Sequence, residues 1–301
     1  MQRLTIINFL TAITAIFVNL MGLSAQELKF SDSRFKSYLL TNDSINFDSN
    51  KKEISILEAQ SFNGMIDVSN MKIKSLEGIE AFVNLTKLIC SGNKLTNLDL
   101  SKNLALEFLD CKNNTIEYLN ISQNQFLIEV KIYNNRISKI DLTGNINLVH
   151  LSARNNPFKT IDITKNLKLK SLYCQNTQIS ELDVRKNKYL ILLYCGDNLL
   201  QELDVSENKE LVELACSNNK LSNLYLNENT SLVFLDCQNN HLTKLDLRKN
   251  SKVTTLYSKG NVGLTICVLE SQLNHHWYRD INPFNEEDKI RANELQTNCK
   301  D

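Results

Sequence analysis

Six of the eight cysteines recur at multiples of 21 positions, and this spacing allows three kinds of chemistry. The thiols could bind zinc, form disulfides along a ladder, or stay reduced and pack as small apolar groups. Zinc is disfavoured because the chain has no C-x-x-C pair. Bridges between adjacent rungs are disfavoured because the side chains would point the same way instead of crossing. We therefore expect reduced, buried thiols, with ladder disulfides as the alternative, at Cys90, Cys111, Cys174, Cys195, Cys216 and Cys237.

A column of aspartates shares this period and could bind cations in a row. Its members are Asp99, Asp141, Asp162, Asp183, Asp204 and Asp246. The alternative is a structural role, in which each carboxylate makes local hydrogen bonds. Ion pairs would then form with lysines three residues further on, at Lys102, Lys165, Lys186 and Lys249. We favour the structural role because the surface around this column is monotonous, as a scaffold is.

Catalytic arrangements are absent from the sequence. The chain has four histidines, and it has no hydrolase, metalloprotease, phosphate-loop or dinucleotide motif. We therefore expect no enzymatic activity, no cofactor and no metal. The formal net charge is zero, which gives no electrostatic case for a nucleic acid or an anionic lipid as partner.

A single sequence repeat positions all of these side chains. Nine copies, here called coils 1 to 9, run from Leu85 to about Ile266 and read L-x-x-L-x-C-x-x-N-x-L-x-x-L-D-L-x-x-N. Such a period predicts stacked coils that share one core. The first asparagine of each copy can satisfy backbone groups at a buried corner. This predicted structural ladder, broken only by Thr177, is Asn93, Asn114, Asn135, Asn156, Asn198, Asn219, Asn240 and Asn261.

Both halves of a coil alternate apolar and other residues, as in Leu88-x-Cys90 and again in Leu98-Asp99-Leu100. A period of two indicates strands, and so short a coil leaves little room for a helix of average length. The expected fold is therefore a mainly β, right-handed, weakly curved solenoid with two short parallel strands in each coil and a cap at each end.

These coils resemble the leucine-rich repeat family, whose signature L-x-x-L-x-L-x-x-N-x-L is met by residues 85–95 and their equivalents over about two thirds of the chain. The region before them looks like that of secreted leucine-rich repeat proteins from Bacteroidota, with an internalin-like general architecture. In those relatives the run equivalent to 45–55 often resembles a calcium loop. Here Lys51 and Lys52 replace the Asp and Gly of that loop, so we expect a turn without calcium.

The ends of the chain indicate a secreted, capped protein. Residues 1–25 read as a signal peptide, with an uncleaved anchor as the alternative. Residues 26–62 would form an N-terminal cap with a short helix, 63–266 the repeat array, and 267–301 a C-terminal cap. We expect a disulfide between Cys267 and Cys299, because secretion permits one. A monomer at the cell surface, in the periplasm or outside the cell is the expected product, with no membrane span once residues 1–25 are removed.

The outward positions of the first strand differ strongly from coil to coil and carry the candidate binding site. Aromatic residues and arginine are the usual anchors of interfaces, although single aromatics are also ordinary strand residues. Stacking should bring together Phe108, Tyr133, His150, Arg154, Tyr173, Leu192 and Tyr194. Two functions follow: binding of a protein or cell surface, as in most leucine-rich repeat proteins, or capture of a surface glycan by tyrosines that include Tyr257.

Overall fold

The computed structural model describes residues 28–47, 52–272, 295–297 and 299. The predicted signal peptide, the middle of the calcium-loop-like turn and most of the predicted C-terminal cap, with its histidines, lie outside the described residues. Within the described part, no helix has the length and the apolar content that crossing a bilayer requires.

The array is built from very short strands. In chain order the strands of the described residues are β1 (Met65–Asp67), β2 (Lys87–Ile89), β3 (Asn97–Asp99), β4 (Phe108–Asp110), β5 (Tyr118–Asn120), β6 (Glu129–Lys131), β7 (His150–Ser152), β8 (Ser171–Tyr173), β9 (Leu192–Tyr194), β10 (Glu213–Ala215), β11 (Phe234–Asp236), β12 (Lys244–Asp246), β13 (Thr255–Tyr257), β14 (Thr265–Cys267) and β15 (Leu295–Gln296).

Ten of these strands form one parallel sheet, in the order β1-β2-β4-β6-β7-β8-β9-β10-β11-β13. The central residue of each strand pairs with its equivalent in the next coil, as Leu151 does with Leu172. Because the register equals the repeat length, equivalent side chains form straight columns. The outward surface of this sheet is called the first-sheet face below.

The second strand of a coil forms only near the two ends of the array. Strands β3 and β5 pair in coils 1 and 2, and β12, β14 and β15 form a sheet at the C-terminal end. In coils 3 to 7 the equivalent residues form no strand. The expectation of two strands in every coil therefore holds for coils 1, 2, 8 and 9. In coils 3 to 7 the hydrogen bonds between coils on this side come from asparagine side chains, such as Asn187 to the carbonyl oxygens of Ile163 (3.0 Å) and Asn166 (2.9 Å). No helix interrupts residues 85–266, as predicted.

Buried leucine columns and the cysteine ladder fill the interior. All six ladder cysteines are fully buried and free, as predicted, and Ile132, Ala153 and Ser258 take their place in coils 3, 4 and 9. Burial raises the pKa of these thiols, to about 12 for Cys195 and Cys237. The thiols therefore stay protonated at neutral pH and pack as apolar groups.

The predicted asparagine ladder bonds the corner of each coil to the coil before it. The side chain of Asn219 donates to the carbonyl oxygens of Cys195 and Cys216, both at 3.0 Å, and accepts from the Leu200 amide at 3.0 Å. At the break in the column, the Thr177 hydroxyl donates to the Cys174 carbonyl oxygen at 2.8 Å. Each coil is thus closed by buried polar bonds that no apolar side chain could replace.

Both ends of the array are covered. Helix α1 (Ser33–Leu40) begins at Asp32, whose carboxylate accepts from the amides of its first turn and also from the Lys74 amide at 2.8 Å. A second helix, α2 (Ile56–Ser61), starts with a capping box of Ser55 and Glu58. Single turns of 3-10 helix occur at Ile79–Ala81 and Glu270–Gln272. At the other end the disulfide Cys267–Cys299 is present as predicted.

Candidate functional site

The first-sheet face is made of the two residues that flank each buried central residue. These flanking side chains are mostly half-buried, because neighbours about 4.8 Å away on the adjacent rungs cover their sides. The loop that follows each strand adds a third column, which includes Tyr133 and Arg154. Side chains of successive coils therefore touch across the sheet, although they are a full repeat apart in the chain.

Five of the seven predicted site residues line one shallow concavity of about 460 Å³ on coils 3 to 6. They are Tyr133, His150, Arg154, Tyr173 and Leu192. Glu129, Lys131, Ser152 and Ser171 complete its wall, and the His150 Nδ1 lies 3.1 Å from the Ser171 hydroxyl. Repeat stacking thus brings these residues together as the sequence predicts.

Arg154 is the cation of this concavity that has no acidic partner. Its guanidinium lies 4.5 Å from the centre of the Tyr133 ring, in cation–π geometry. The neighbouring lysines are neutralised by carboxylates. Lys131 pairs with Glu129 at 2.7 Å, and Lys112 pairs with Asp110 at 3.0 Å. Among the described residues no ion pair involves Arg154, and its side chain is exposed. The guanidinium is therefore held in place with its donors available to a ligand.

Stacked aromatic rings extend the site towards the C-terminal end. Tyr173 and Tyr194 stack with ring centres 5.1 Å apart and planes inclined by 26°, which brings Tyr194 against the concavity. Tyr194 then stacks on Phe234 at 6.5 Å, and Phe234 meets Tyr257 at 5.8 Å. This continuation skips a rung, where the small, buried Ala215 leaves room for the larger rings.

Glu213 fixes one end of the tyrosine stack. The Tyr194 hydroxyl donates to the Glu213 carboxylate. Burial, and then this carboxylate, raise the pKa of Tyr194, while burial and the charge of Glu213 raise that of Tyr173. Both phenols are therefore neutral donors over the physiological pH range. Glu213 and Phe234 were not among the predicted site residues: Glu213 reaches Tyr194 diagonally from the adjacent rung, and Phe234 reaches it across the small Ala215.

Phe108 lies at the margin of the site. Its ring is 4.3 Å from the Lys87 ammonium and 5.1 Å from that of Lys131. Phe108 does not line the concavity, and it adjoins two of its wall residues, Lys131 and its strand partner Glu129, so the predicted cluster divides into a central group and this peripheral ring.

An exposed amide ladder borders the carboxyl ends of the first-sheet strands. The residue before the corner asparagine, or before Thr177 where the column breaks, has a left-handed backbone, with φ between 50° and 56°, at Asn113, Asn134, Asn155, Asn176, Asp197, Asn218 and Asn239. Glycine takes this position in coils 1 and 9. Asparagine tolerates this conformation, and its amide can bond onward along the column, as Asn134 does to Asn113 at 2.6 Å. The Asn-Asn doublets in the sequence were the available signal for this ladder.

The aspartate column has local structural roles. Asp99 and Asp162 each accept from the backbone amide two residues further on, at 2.9 Å. The predicted lysine partners are wrong: the ion pairs on this column are Asp183 with Arg185 at 2.9 Å and Asp246 with Arg248 at 2.6 Å. The turn after each strand directs the residue two positions on, rather than three, back towards the carboxylate. Arg185 lowers the pKa of Asp183 to about 2.

Metal and catalytic centres find no support among the described residues. There, no group of three or more histidine, cysteine, aspartate or glutamate side chains is placed to hold an ion. His150 contacts the Ser171 hydroxyl, and among the described residues no further side-chain hydrogen bond orients its imidazole. The site contains a stack of neutral aromatic side chains, one arginine with available donors and a rim of ion pairs. These features are typical of binding interfaces.

The comparisons with known structures identify leucine-rich repeat proteins. The functional domain of InlJ from Listeria monocytogenes, which includes a cysteine ladder, is 32% identical over 80% of this chain, with a TM-score of 0.72. Internalin InlF from the same organism is 18% identical over 79% of this chain, with a TM-score of 0.55, and the match covers 84% of its own length. YopM from Yersinia enterocolitica is 24% identical over 68% of this chain and 46% of its own, with a TM-score of 0.56.

The fold is therefore a leucine-rich repeat solenoid with internalin-type structural neighbours. The match spans 55% of the InlJ domain, so it concerns only part of that protein. A scan against protein families and a search of curated proteins each gave no match.

Proposed function

We propose that this chain is a secreted, non-catalytic binding module that holds a protein partner on the first-sheet face of coils 2 to 6. The observation that carries the proposal is the central group of the site, in which Arg154, fixed over Tyr133, stands next to the stacked pair Tyr173 and Tyr194. Aromatic rings that are already ordered lose little entropy on binding, and aromatics and arginine dominate the energetics of interfaces.

The contrast between the faces of the solenoid supports this assignment. The face that carries the aspartate column repeats the same local hydrogen bonds from coil to coil. The side chains of the first-sheet face differ strongly between most coils, as those of a surface adapted to one ligand do. Stacked repeats are also known for extended surfaces that bind partners, and the likeness to the InlJ functional domain agrees with such a role.

The chemistry of the site defines the expected contact. The guanidinium of Arg154 can form a bidentate pair with a carboxylate of the partner. An apolar or aromatic side chain of the partner would fill the concavity between Tyr133, Tyr173 and Leu192. The ion pairs Lys131–Glu129 and Lys112–Asp110 would form the polar rim. This division into a dry centre and a charged rim is common to protein interfaces.

Carbohydrate capture is the alternative function. Sugar rings bind to open faces of aromatic side chains. In the structure one face of Tyr173 and one of Tyr194 are occupied by each other, and the Tyr194 hydroxyl is bonded to Glu213. This arrangement favours a protein partner. The ring faces that are not occupied, and Tyr257, are the surfaces on which a sugar ring would stack in the glycan alternative.

Secretion is a second part of the proposal. It is supported by the signal-like residues 1–25 and by the disulfide Cys267–Cys299, since oxidising compartments allow structural disulfides. Fractionation of the source cells, with mass measurement of the exported chain, would test it. A chain that keeps residues 1–25 and remains inside the cell would contradict secretion.

Site-directed photo-cross-linking tests the binding face. A photoreactive phenylalanine analogue is placed at Leu192 in one chain and at the exposed Tyr225, on the side opposite the first-sheet face, in another. We expect one protein to be captured at position 192 and not at position 225. Capture at both positions, or only at 225, would contradict the assignment. A glycan array probed with the unmodified chain and with Tyr173→Ala decides the alternative.

A further inference from the structure

An exposed apolar row follows the corner that leads from the second half of each coil back to the first sheet. Its side chains are 45–53% exposed, belong to coils 1 to 5, and are Leu104, Phe126, Ile128, Ile146, Leu167 and Tyr189. At about 4.8 Å per rung the row is about 20 Å long. It is called the apolar ridge below. Contiguous exposed apolar surface of this kind marks a site of interaction.

The ridge residues have no packing role that would explain them. Each corner is a turn closed by a backbone hydrogen bond, such as Leu106 N to Asn103 O at 3.1 Å and Leu169 N to Asn166 O at 3.1 Å. The residues between those two ends form the tip and point away from the core, and they include every ridge residue except Ile128, which follows the turn that ends at Leu127. In the later coils the same tips are polar, and Lys209 is paired with Glu228 at 3.0 Å. The fold therefore accepts polar tips, and apolar ones serve another purpose.

The corner around the ridge is strongly basic although the whole chain is neutral. Residues 101–107, 122–128, 143–149, 164–170 and 185–191 together contain seven lysines or arginines and one acid, Glu107. Two of the seven, Arg185 and Lys188, are paired with carboxylates. Among the described residues no ion pair involves the other five, which are exposed: Lys102, Lys165, Lys168, Lys170 and Lys186.

Three carboxylates of the neighbouring face lie close to these lysines in the chain. Asp99 accepts from the Ser101 amide at 2.9 Å, Asp162 accepts from the Thr164 hydroxyl at 2.7 Å, and Asp183 pairs with Arg185 at 2.9 Å. All three belong to the aspartate column and not to the corner itself. The sequence analysis found no electrostatic argument for binding to anionic lipid because it considered the net charge of the whole chain. That net charge does not reveal the local excess of positive charge at this corner.

We propose that the apolar ridge and its lysines form a peripheral membrane-binding edge for anionic phospholipid. A projecting row of apolar turn tips can enter the boundary between headgroups and acyl chains, where the lysines around it meet lipid phosphates. An acidic protein is the other partner that charge would allow. Protein interfaces, however, are depleted in lysine and need a fitted counterpart, whereas a bilayer accepts a convex row. The proposal is independent of the first-sheet face.

Vesicle co-sedimentation of the purified full chain tests the edge. Vesicles rich in phosphatidylserine are compared with vesicles of phosphatidylcholine alone, for the unchanged chain and for the double variants Ile146→Ser/Leu167→Ser and Lys165→Glu/Lys168→Glu. Near an anionic surface each lysine contributes roughly a fivefold factor in affinity. We therefore expect at least about a tenfold loss for the lysine variant, a clear loss for the serine variant, and weaker binding of the unchanged chain in high salt.

Matched variants away from the corner serve as controls. Lys139→Glu/Lys159→Glu makes the same change in net charge, and Leu199→Ser/Tyr225→Ser removes two other exposed apolar side chains. Both should bind like the unchanged chain, and all variants should keep its thermal unfolding curve. Any contribution of the apolar residues before 28 is the same in every variant. Failure of the unchanged chain to bind phosphatidylserine vesicles would overturn the proposal, as would equal losses in the control variants or an acidic protein that binds the ridge when the vesicles do not.

Discussion

Asn219→Ala tests how far the corner asparagines hold the solenoid together. The side chain of Asn219 is buried and bonds to the carbonyl oxygens of Cys195 and Cys216 and to the amide of Leu200. Alanine would leave the Leu200 amide without a partner and out of reach of water, whereas the carbonyl oxygens of Cys195 and Cys216 would keep the bonds they accept from Asn198 and Asn240. An orphaned buried group costs about 1–3 kcal/mol and each lost hydrogen bond about 0.5–1.5 kcal/mol, so we expect a total loss of about 2–6 kcal/mol.

Asn219→Thr gives a graded version of the same test, because the chain already carries threonine in this column. The hydroxyl of Thr177 donates to the Cys174 carbonyl oxygen in its own coil. Phe158 is the equivalent of Leu200 there, and because Thr177 does not reach the Phe158 amide, that amide donates to the Asn156 carbonyl oxygen at 2.9 Å instead. The Leu200 amide has no such replacement among the bonds of the structure. Threonine at 219 should therefore recover only part of the loss.

Amide hydrogen exchange and denaturant unfolding together measure this effect. In Asn219→Ala, exchange of the Leu200 amide should become much faster, while the Leu242 amide, held by Asn261 at 3.0 Å, stays protected. The exposed Asn223→Ala should change stability by less than about 0.5 kcal/mol. A loss below about 0.5 kcal/mol for Asn219→Ala, with unchanged exchange at Leu200, would refute the assigned role of the corner asparagines.

Three further predictions follow from the same structure. Leu172→Ala should cost about 2–5 kcal/mol in unfolding free energy through a cavity in the shared core, and a loss under about 0.5 kcal/mol would contradict its burial. Mass mapping after alkylation should find Cys267 joined to Cys299, and ladder thiols that react only once the chain is unfolded; disulfides between consecutive rungs would contradict this. Because Arg185 lowers the pKa of Asp183 to about 2, its ion pair should persist above pH 4 and be lost as the pH falls towards 2. An ordinary carboxyl titration of Asp183 by NMR would refute that pairing.

The repeat allowed most of the architecture to be predicted, because one period fixes both register and burial. If the coils stack, residues that recur once in every coil must form columns. This reasoning correctly predicted the positions of the buried leucines, the thiols and the corner asparagines such as Asn219. The end disulfide was also predicted. The missing second strands of coils 3 to 7 were not predicted, since the alternating pattern is nearly the same in coils that form this strand and in coils that do not.

The candidate site could be predicted only in part. Its central members come from adjacent rungs, so simple stacking was sufficient to group them. The contact of Tyr194 with Phe234 crosses a rung and depends on the small Ala215 between them, which no single column reveals. The lysine partners proposed for the aspartates were wrong because side-chain direction at a turn, and not spacing alone, decides which cation reaches the carboxylate.

A comparison of affinities for the cross-linked partner tests the central claim most directly. Tyr173→Ala/Tyr194→Ala removes the stacked anchors, and Asp162→Ala/Asp183→Ala makes a matched change on the aspartate face. We expect the tyrosine variant to weaken binding by at least about 2 kcal/mol and the aspartate variant to leave affinity nearly unchanged. Loss of binding in the aspartate variant, with full affinity in the tyrosine variant, would show that the partner binds the other side of the solenoid.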